Sequence, residues 1–407
     1  MVKLKKWVFL ILALEMGSIV FASPWALVLT GGGARGAYEA GALKAVKELR
    51  LDVKGVYGTS VGALNGAFFC QGITDELYNM WQELSYSNVM SIPSTPSNKN
   101  SNLYFRIAQR IFTFHLIDVK PLRKLVSEYL NEEEIRKSGI SFGIVTYDLS
   151  KFTPVEIYLS EIPDGKLLDY VMASANYPIF QRQVINGSMY IDGGVYNNAP
   201  VDMALKKGFS KILLINVSDI PISLPPIPEG VELKTINPSG SLGNAMNFNP
   251  EDEKRLEEMG YLDTMKSFGK FVGENYYIYP PKRPILIDAL LSMDATELSK
   301  IADTLGLNIS GYSRNFAVYI IIIPKISEIV KSTSFESLNL DLLETAAEEF
   351  GIDRLVPYTQ RELVKVIAQS DRQLHSNFLF FQRNNDEVVE SIREICKFIV
   401  SKGIICN

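Results

Sequence analysis

The run Val56-Tyr57-Gly58-Thr59-Ser60-Val61-Gly62-Ala63 constrains this chain more than any other stretch. It reads as a short strand, a sharp turn built around one serine, and a helix. The glycines two residues before and after Ser60 allow the tight reversal and keep the hydroxyl uncovered, as a nucleophile elbow requires. A helix starting near Val61 aims its N-terminal partial positive charge at that hydroxyl and favours negative charge developing there. The pattern predicts a strand that delivers a serine to a helix N-terminus, with an esterase-type nucleophile as its chemistry. Gly-x-Ser-x-Gly is short and glycine is common, so this segment alone leaves an ordinary structural turn open.

A second segment lies upstream. The apolar run Trp25 to Thr30 leads into Gly31-Gly32-Gly33-Ala34-Arg35-Gly36, and a helical pattern follows from Ala37 to Leu49. Consecutive glycines leave their amides uncovered and free to adopt positive φ. Between a strand and a helix N-terminus they make an anion cradle. Acyl transfer needs such a cradle, and losing one donor from it costs roughly 10²–10³ in rate. Gly31-x-Gly33-x-x-Gly36 is also a dinucleotide fingerprint in the required strand–turn–helix setting. That reading wants an acidic residue ending the next strand, but Val53 to Tyr57 runs into Gly58-Thr59-Ser60, and Asp52 precedes it. No Gly-Lys-Ser/Thr follows the glycines, so a P-loop is excluded. A purely structural glycine turn stays open.

The third segment is Tyr190-Ile191-Asp192-Gly193-Gly194, continuing through Asn197-Asn198-Ala199-Pro200. Asp192 follows a short apolar run and is exposed by two glycines. Asp-Gly is also a common hairpin-turn signal. Histidine arithmetic favours chemistry. The chain has only His115, in an apolar stretch, and His375, far down a polar helical region. A triad in α/β-hydrolase order places the histidine after the acid. Only His375 does so, and it falls outside the domain that carries the serine. A Ser60–Asp192 dyad fits better than a triad.

Together these segments resemble the patatin-like phospholipases. Gly31 to Gly36 matches the family's glycine-rich oxyanion loop, Gly58-Thr59-Ser60-Val61-Gly62 its nucleophile elbow, and Asp192-Gly193-Gly194 its aspartate motif. Ala173 to Pro178, Asn197 to Pro200 and the run from Asn249 to Tyr261 match further family segments. The resemblance spans roughly Ser23 to Phe268. It departs at Asn176-Tyr177, where many relatives carry a smaller or more apolar pair, and this bears on the shape of the acyl pocket. The resemblance implies an α/β three-layer sandwich around a mainly parallel sheet. It also implies a lipid ester or phospholipid substrate and transient contact with a membrane surface. Ser60 is then the nucleophile and Asp192 the proton acceptor. The oxyanion site falls on Gly31, Gly32 and Gly33, with Arg35 beside them. An unperturbed carboxylate near 4 is a weak base, so Asp192 needs a partly desolvated site. No metal or other cofactor is called for: the chain has no His-Glu-x-x-His, no zinc-spaced cysteines and no calcium loop. Arg35 has a second reading, as a first-turn helix residue paired with Glu39 at i+4.

The net charge of −5 and the absence of a basic aromatic stripe give no sign of nucleic-acid binding. Cys70, Cys396 and Cys406 are too few and too widely spaced for a disulfide framework. Cys70 reads as a small core residue. Protein partners are not legible. Lys3, Lys5 and Lys6, the apolar run Trp7 to Leu14, and Val20-Phe21-Ala22 before Ser23 read as a bacterial export signal over residues 1–22. That predicts a periplasmic, cell-envelope or secreted protein. Glu15 interrupts the apolar run, and an uncleaved anchor is the alternative.

Strand patterns at Ala26–Thr30, Val53–Tyr57, Ser141–Tyr147, Val155–Leu159, Met189–Ile191 and Lys211–Val217 alternate with helical ones at Tyr38–Leu49, Val61–Gln71, Glu76–Glu83 and Pro121–Leu130. This predicts a largely parallel sheet with helices on both faces and the serine at a strand's C-terminal end. Ser85 to Asn102 reads as a long loop. Leu103, Ile107 and Ile111 after it form a stripe that is either core or a lipid-meeting flap. The proline-rich Ile220–Pro228 reads as a loop able to rim a pocket. Beyond Phe268, residues 269–407 read as a mostly helical domain. Asp294-Ala295-Thr296-Glu297 is a capping box, Gly306 a stop and Thr359 another start, and a last helix covers Asp386 to Ser401. Phe316 to Ile323 is apolar and ambiguous in type. A nucleotide-binding enzyme and a non-catalytic envelope interaction protein remain as alternatives to the hydrolase.

Overall fold

A computed structural model describes residues 23–91, 116–371 and 380–404. Residues 1–22, where an export signal is expected, the Leu103–Ile111 stripe, His115, His375 and Cys406 lie outside them. The chain divides into two compact units. The first runs up to Asn237 and includes Leu242–Glu253. The second comprises Pro238–Ser241 and the chain from Lys254.

The first unit is built on one sheet. Its strands are β1 (Trp25–Leu29), β2 (Val53–Thr59), β3 (Ser141–Asp148), β4 (Thr153–Tyr158), β5 (Gln183–Ile185), β6 (Ser188–Asp192), β7 (Lys211–Ile215) and β8 (Glu232–Ile236). The order is β5-β6-β3-β2-β1-β7-β8, with β4 also pairing β3. The centre is parallel, since β1 pairs β2 and β7, β2 pairs β3, and β7 pairs β8 in that sense. Its strands read as continuous apolar runs because both faces are covered. Ala26, Val28, Tyr57, Ile212 and Leu214 pack with Val201, Met203 and Ala204 on one face. On the other, Gly66 sits against Val56, Phe142 and Leu29, so close that a Cβ would meet a Val56 methyl at 2.9 Å.

Helices α1 (Gly36–Glu48), α2 (Val61–Gln71), α3 (Thr74–Glu83) and α4 (Lys120–Tyr129) follow the predicted positions to within three residues. Two edge elements escape the sequence pattern. β5 has only three residues, and β8 is half-exposed with polar residues interleaved. The loop expected from Ser85 begins with a helical turn, Tyr86–Val89. Asn88 Oδ1 accepts the Ser85 amide at 3.0 Å and supplies the nucleation that an unpatterned stretch otherwise lacks.

β3 is the strand that organises the site. Its residues Gly55↔Ser141 through Thr59↔Val145 pair with β2, and Thr146↔Asp192 through Asp148↔Tyr190 pair with β6. β4 overlaps both stretches, from Gly143 to Asp148, and so occupies the opposite edge. β2 and β6 therefore lie end to end along one edge of β3 and meet where Val145 joins Thr146. The residue after β2 is Ser60, and the last residue of β6 is Asp192.

The second unit is helical, apart from a two-stranded pairing of Tyr277–Ile278 with Pro357–Tyr358. Ile278, Leu286, Leu290, Val318, Leu342, Leu363, Val389 and Ile392 are among the residues of its own core. The capping box at Asp294 forms as the sequence predicts, the helix expected at Thr359 starts there on a capping box of its own, and Gly306 adopts φ +67° after the first of these helices. The ambiguous Phe316–Ile323 run is helical and includes a wide π turn at Ala317–Ile322.

Candidate active site

Ser60 sits at φ +57°, ψ −124°, a conformation that costs a non-glycine residue of order 1–3 kcal/mol. The surroundings enforce it. A Cβ at Gly58 would stand 2.3 Å from the Gly62 carbonyl oxygen, and one at Gly62 would stand 2.5 Å from that of Leu29. The elbow closes only because both flanks lack side chains. The Ser60 amide donates to Ser174 Oγ at 2.8 Å, and that hydroxyl donates to the Val145 carbonyl at 2.6 Å.

The Ser60 hydroxyl donates to Asp192 Oδ2 at 2.6 Å. The other oxygen, Oδ1, accepts the Gly194 amide at 2.8 Å. The Asp192 amide donates to the Asn176 carbonyl at 2.8 Å, and Asn176 Nδ2 donates to the Tyr190 carbonyl at 2.9 Å. The carboxylate is only 5% exposed. Burial raises its pKa from an ordinary 3.8 to about 6, against the opposing pull of the Ser60 and Gly194 hydrogen bonds.

The three glycines differ in what their amides do. The Gly31 amide donates to Asn198 Oδ1 at 3.0 Å, and Asn198 Nδ2 donates back to the Gly31 carbonyl at 3.2 Å. That amide is committed to holding the loop. The amides of Gly32 and Gly33 have no protein acceptor among the described residues. Gly33 takes φ +59° and lies so near Ala245 that a Cβ would meet its carbonyl oxygen at 2.2 Å.

Arg35 does not pair with Glu39. It sits in the 3₁₀ turn Gly33–Arg35 at the N-cap of α1, and its side chain is drawn to other partners. Its guanidinium donates to the Gly243 carbonyl at 3.0 Å and the Val217 carbonyl at 3.5 Å, and pairs with Asp219 at 2.8 Å. It latches the glycine loop to two neighbouring loops. Glu39 is buried under α2 and accepts from Asn65 Nδ2 at 2.9 Å, while Asn65 Oδ1 accepts from the Trp81 indole at 3.0 Å. Burial holds the Glu39 carboxyl well above its usual range.

Ser60, Asp192 and the glycine loop open onto a cavity of about 900 Å³. Gly31, Gly32, Gly33, Ser60, Asp192 and Asn198 form its polar floor. Leu64, Phe68, Trp81, Val89, Leu125, Val126 and Phe248 make an apolar interior. Tyr177, Val195 and Ile220 line it and are also exposed, so the mouth is apolar and Ile220 belongs to the proline-rich loop expected at a rim. Sequence reasoning missed Ser174 and Asn198 as contacts of the elbow and the glycine loop. The only available signal was their position within the segments flanking Asp192.

Residues 27–205 match the model of the family described as Patatin-like phospholipase. A "Probable lipid hydrolase 463L" of Invertebrate iridescent virus 6 is 28% identical over 186 residues, which is 44% of this chain and 63% of that protein. "Patatin-like phospholipase domain-containing protein 7" of Rattus norvegicus is 25% identical over 50% of this chain and 14% of its own length. "Neuropathy target esterase sws" of Drosophila melanogaster is 27% identical over 47% of this chain and 13% of its own. The matched region thus spans under two thirds of each of these relatives.

Proposed function

We propose, from the match of residues 27–205 to the patatin-like phospholipase family, that this chain is a serine acyl hydrolase acting on phospholipids or related lipid esters. One observation carries the reading: the Ser60 hydroxyl donates to a buried Asp192 carboxylate at 2.6 Å on the floor of an apolar cavity. Asp192 takes the hydroxyl proton as Ser60 Oγ attacks the ester carbonyl. The carbonyl oxygen gains negative charge and is received by the Gly32 and Gly33 amides, with the N-terminus of α2 adding favourable potential. Asp192 then gives its proton to the leaving alkoxide, and the acyl group stays on Ser60. Water attacks the acyl-enzyme with Asp192 again as base, and the proton returns to Ser60 Oγ as the carboxylic acid departs. A pKa near 6 suits a base that must be ionised at neutral pH yet hold a proton transiently. The apolar cavity takes the acyl chain. Arg35 braces the glycine loop rather than facing charge itself.

The test is covalent labelling by a fluorophosphonate together with lipid hydrolysis by the purified chain. The expected result is labelling and fatty-acid release that are both lost in Ser60→Ala, and hydrolysis reduced by at least about 10³ in Asp192→Asn. Dinucleotide binding with no labelling would sink the proposal in favour of a nucleotide-binding enzyme. Neither signal would leave an interaction protein.

A further inference from the structure

In the second unit, the helical run from Arg314 to Val330 buries one side and exposes the other. Val318, Ile322, Ile323 and Ile326 enter that unit's core, and Ala317 is buried beside them. Tyr312, Phe316, Tyr319 and Ile320 remain 54%, 43%, 44% and 59% exposed. The wide π turn at Ala317–Ile322 fits an extra residue into the turn, so Tyr319 and Ile320 both face solvent while Ala317 and Val318 face inward. Tyr312 stacks on Phe316 with ring centroids 4.9 Å apart and planes 12° from parallel. Phe316, Tyr319 and Ile320 on the helix, with Tyr312 stacked on Phe316 just ahead of it, present large apolar side chains to solvent, which water disfavours.

The charge around the patch indicates its occupant. No carboxylate occurs between Asp303 and Glu328, although the chain as a whole is acidic at −5. The cations flanking the patch are Arg314 and Lys325, with Lys331 at the end of the helix. Among the described residues these three have no ion-pair partner. Aromatic rings, isoleucine and unpaired cations on one amphipathic helix suit the boundary between anionic headgroups and acyl chains. Tyrosine, with an apolar body and a polar tip, suits the same depth. No helix among the described residues is long and apolar enough to cross a membrane, so the fit is to a helix lying in the interface.

We infer that the Tyr312–Ile320 face is a docking surface for anionic lipid bilayers. The inference concerns adhesion and is independent of whether Ser60 hydrolyses lipid. The experiment is co-sedimentation of the full chain with vesicles of non-hydrolysable ether-linked phosphatidylcholine, with and without ether-linked phosphatidylglycerol. The wild-type chain is expected to sediment with the anionic vesicles and much less with the neutral ones. Phe316→Glu/Ile320→Glu is expected to lose roughly tenfold or more of that binding. Arg314→Gln/Lys325→Gln should erase the preference for phosphatidylglycerol, and Tyr319→Phe should keep binding. Circular dichroism and turnover of a water-soluble ester, both expected unchanged, separate lost docking from lost folding. A wild-type chain that ignores anionic vesicles overturns the inference. So does a doubly charged variant that binds as well as wild type. A concentration-dependent dimer that Phe316→Glu/Ile320→Glu abolishes, with vesicle binding unaltered, assigns the face to a second copy and overturns it as well.

Discussion

Asp192 and Ser60 are both held in states that a free residue would avoid. In the folded chain the carboxyl binds its proton up to about pH 6, while in the unfolded chain it releases it near 3.8. Between those values the native state carries the extra proton, so stability falls as pH rises through the window and the penalty is complete above it. The difference amounts to about 3 kcal/mol. Asp192→Asn is accordingly expected to raise the melting temperature at pH 8 and to lose that advantage near pH 4, read by thermal scans of both forms. Activity runs the other way. The base must be ionised, so kcat/KM for a neutral ester is expected to fall tenfold per unit as pH drops below about 6. A profile flat down to pH 4.5 would remove Asp192 from the base role. The Asn198 side chain hydrogen-bonds both the amide and the carbonyl of Gly31. Asn198→Ala should lower kcat by roughly 10–100-fold with little change in KM, because the loop's amides lose their alignment while the acyl cavity keeps its walls. The glycines, serine and aspartate were legible because each stands in a short local pattern. Asn198 and Ser174 were not, since the contacts that give them meaning reach 167 and 114 residues along the chain.

Among the elements, the helix from Val61 to Gln71 and the buried parallel strands were predictable from local apolar runs and glycine punctuation. β8 and β5 were not, because edge strands need only half the apolar content of a central one. Pairing was also beyond local reading. Nothing in the residues of β2 or β6 says that both dock on one edge of β3, and this is what brings the serine to the carboxylate. The close approach of α2 to β1 yields a sharp test. A methyl at Gly62 would stand 2.5 Å from the Leu29 carbonyl oxygen, which is backbone and cannot swing aside. Gly62→Ala is expected to destabilise the fold by about 1–3 kcal/mol in chemical denaturation and to displace the elbow, lowering fluorophosphonate labelling with it.

At the scale of the whole molecule, the two units carry different features. The family match and the cavity belong to the first, while the second contributes a helical core and the aromatic face. If that face holds the chain on anionic bilayers through Arg314 and Lys325, ionic strength becomes a lever on one substrate form only. Raising salt should slow hydrolysis of phosphatidylglycerol-containing vesicles while leaving a dissolved ester unaffected, because screening acts on the approach and not on the buried dyad. The end-to-end meeting of β2 and β6 on β3 has a further consequence. Helices and hairpins that form early cannot yet attack an ester, since the two reacting groups become neighbours only when segments 132 residues apart are in register. Reactivity toward a phosphonate is therefore a census of fully assembled molecules. Sampled during refolding, it would rise only with the last long-range pairing, after circular dichroism has already recovered.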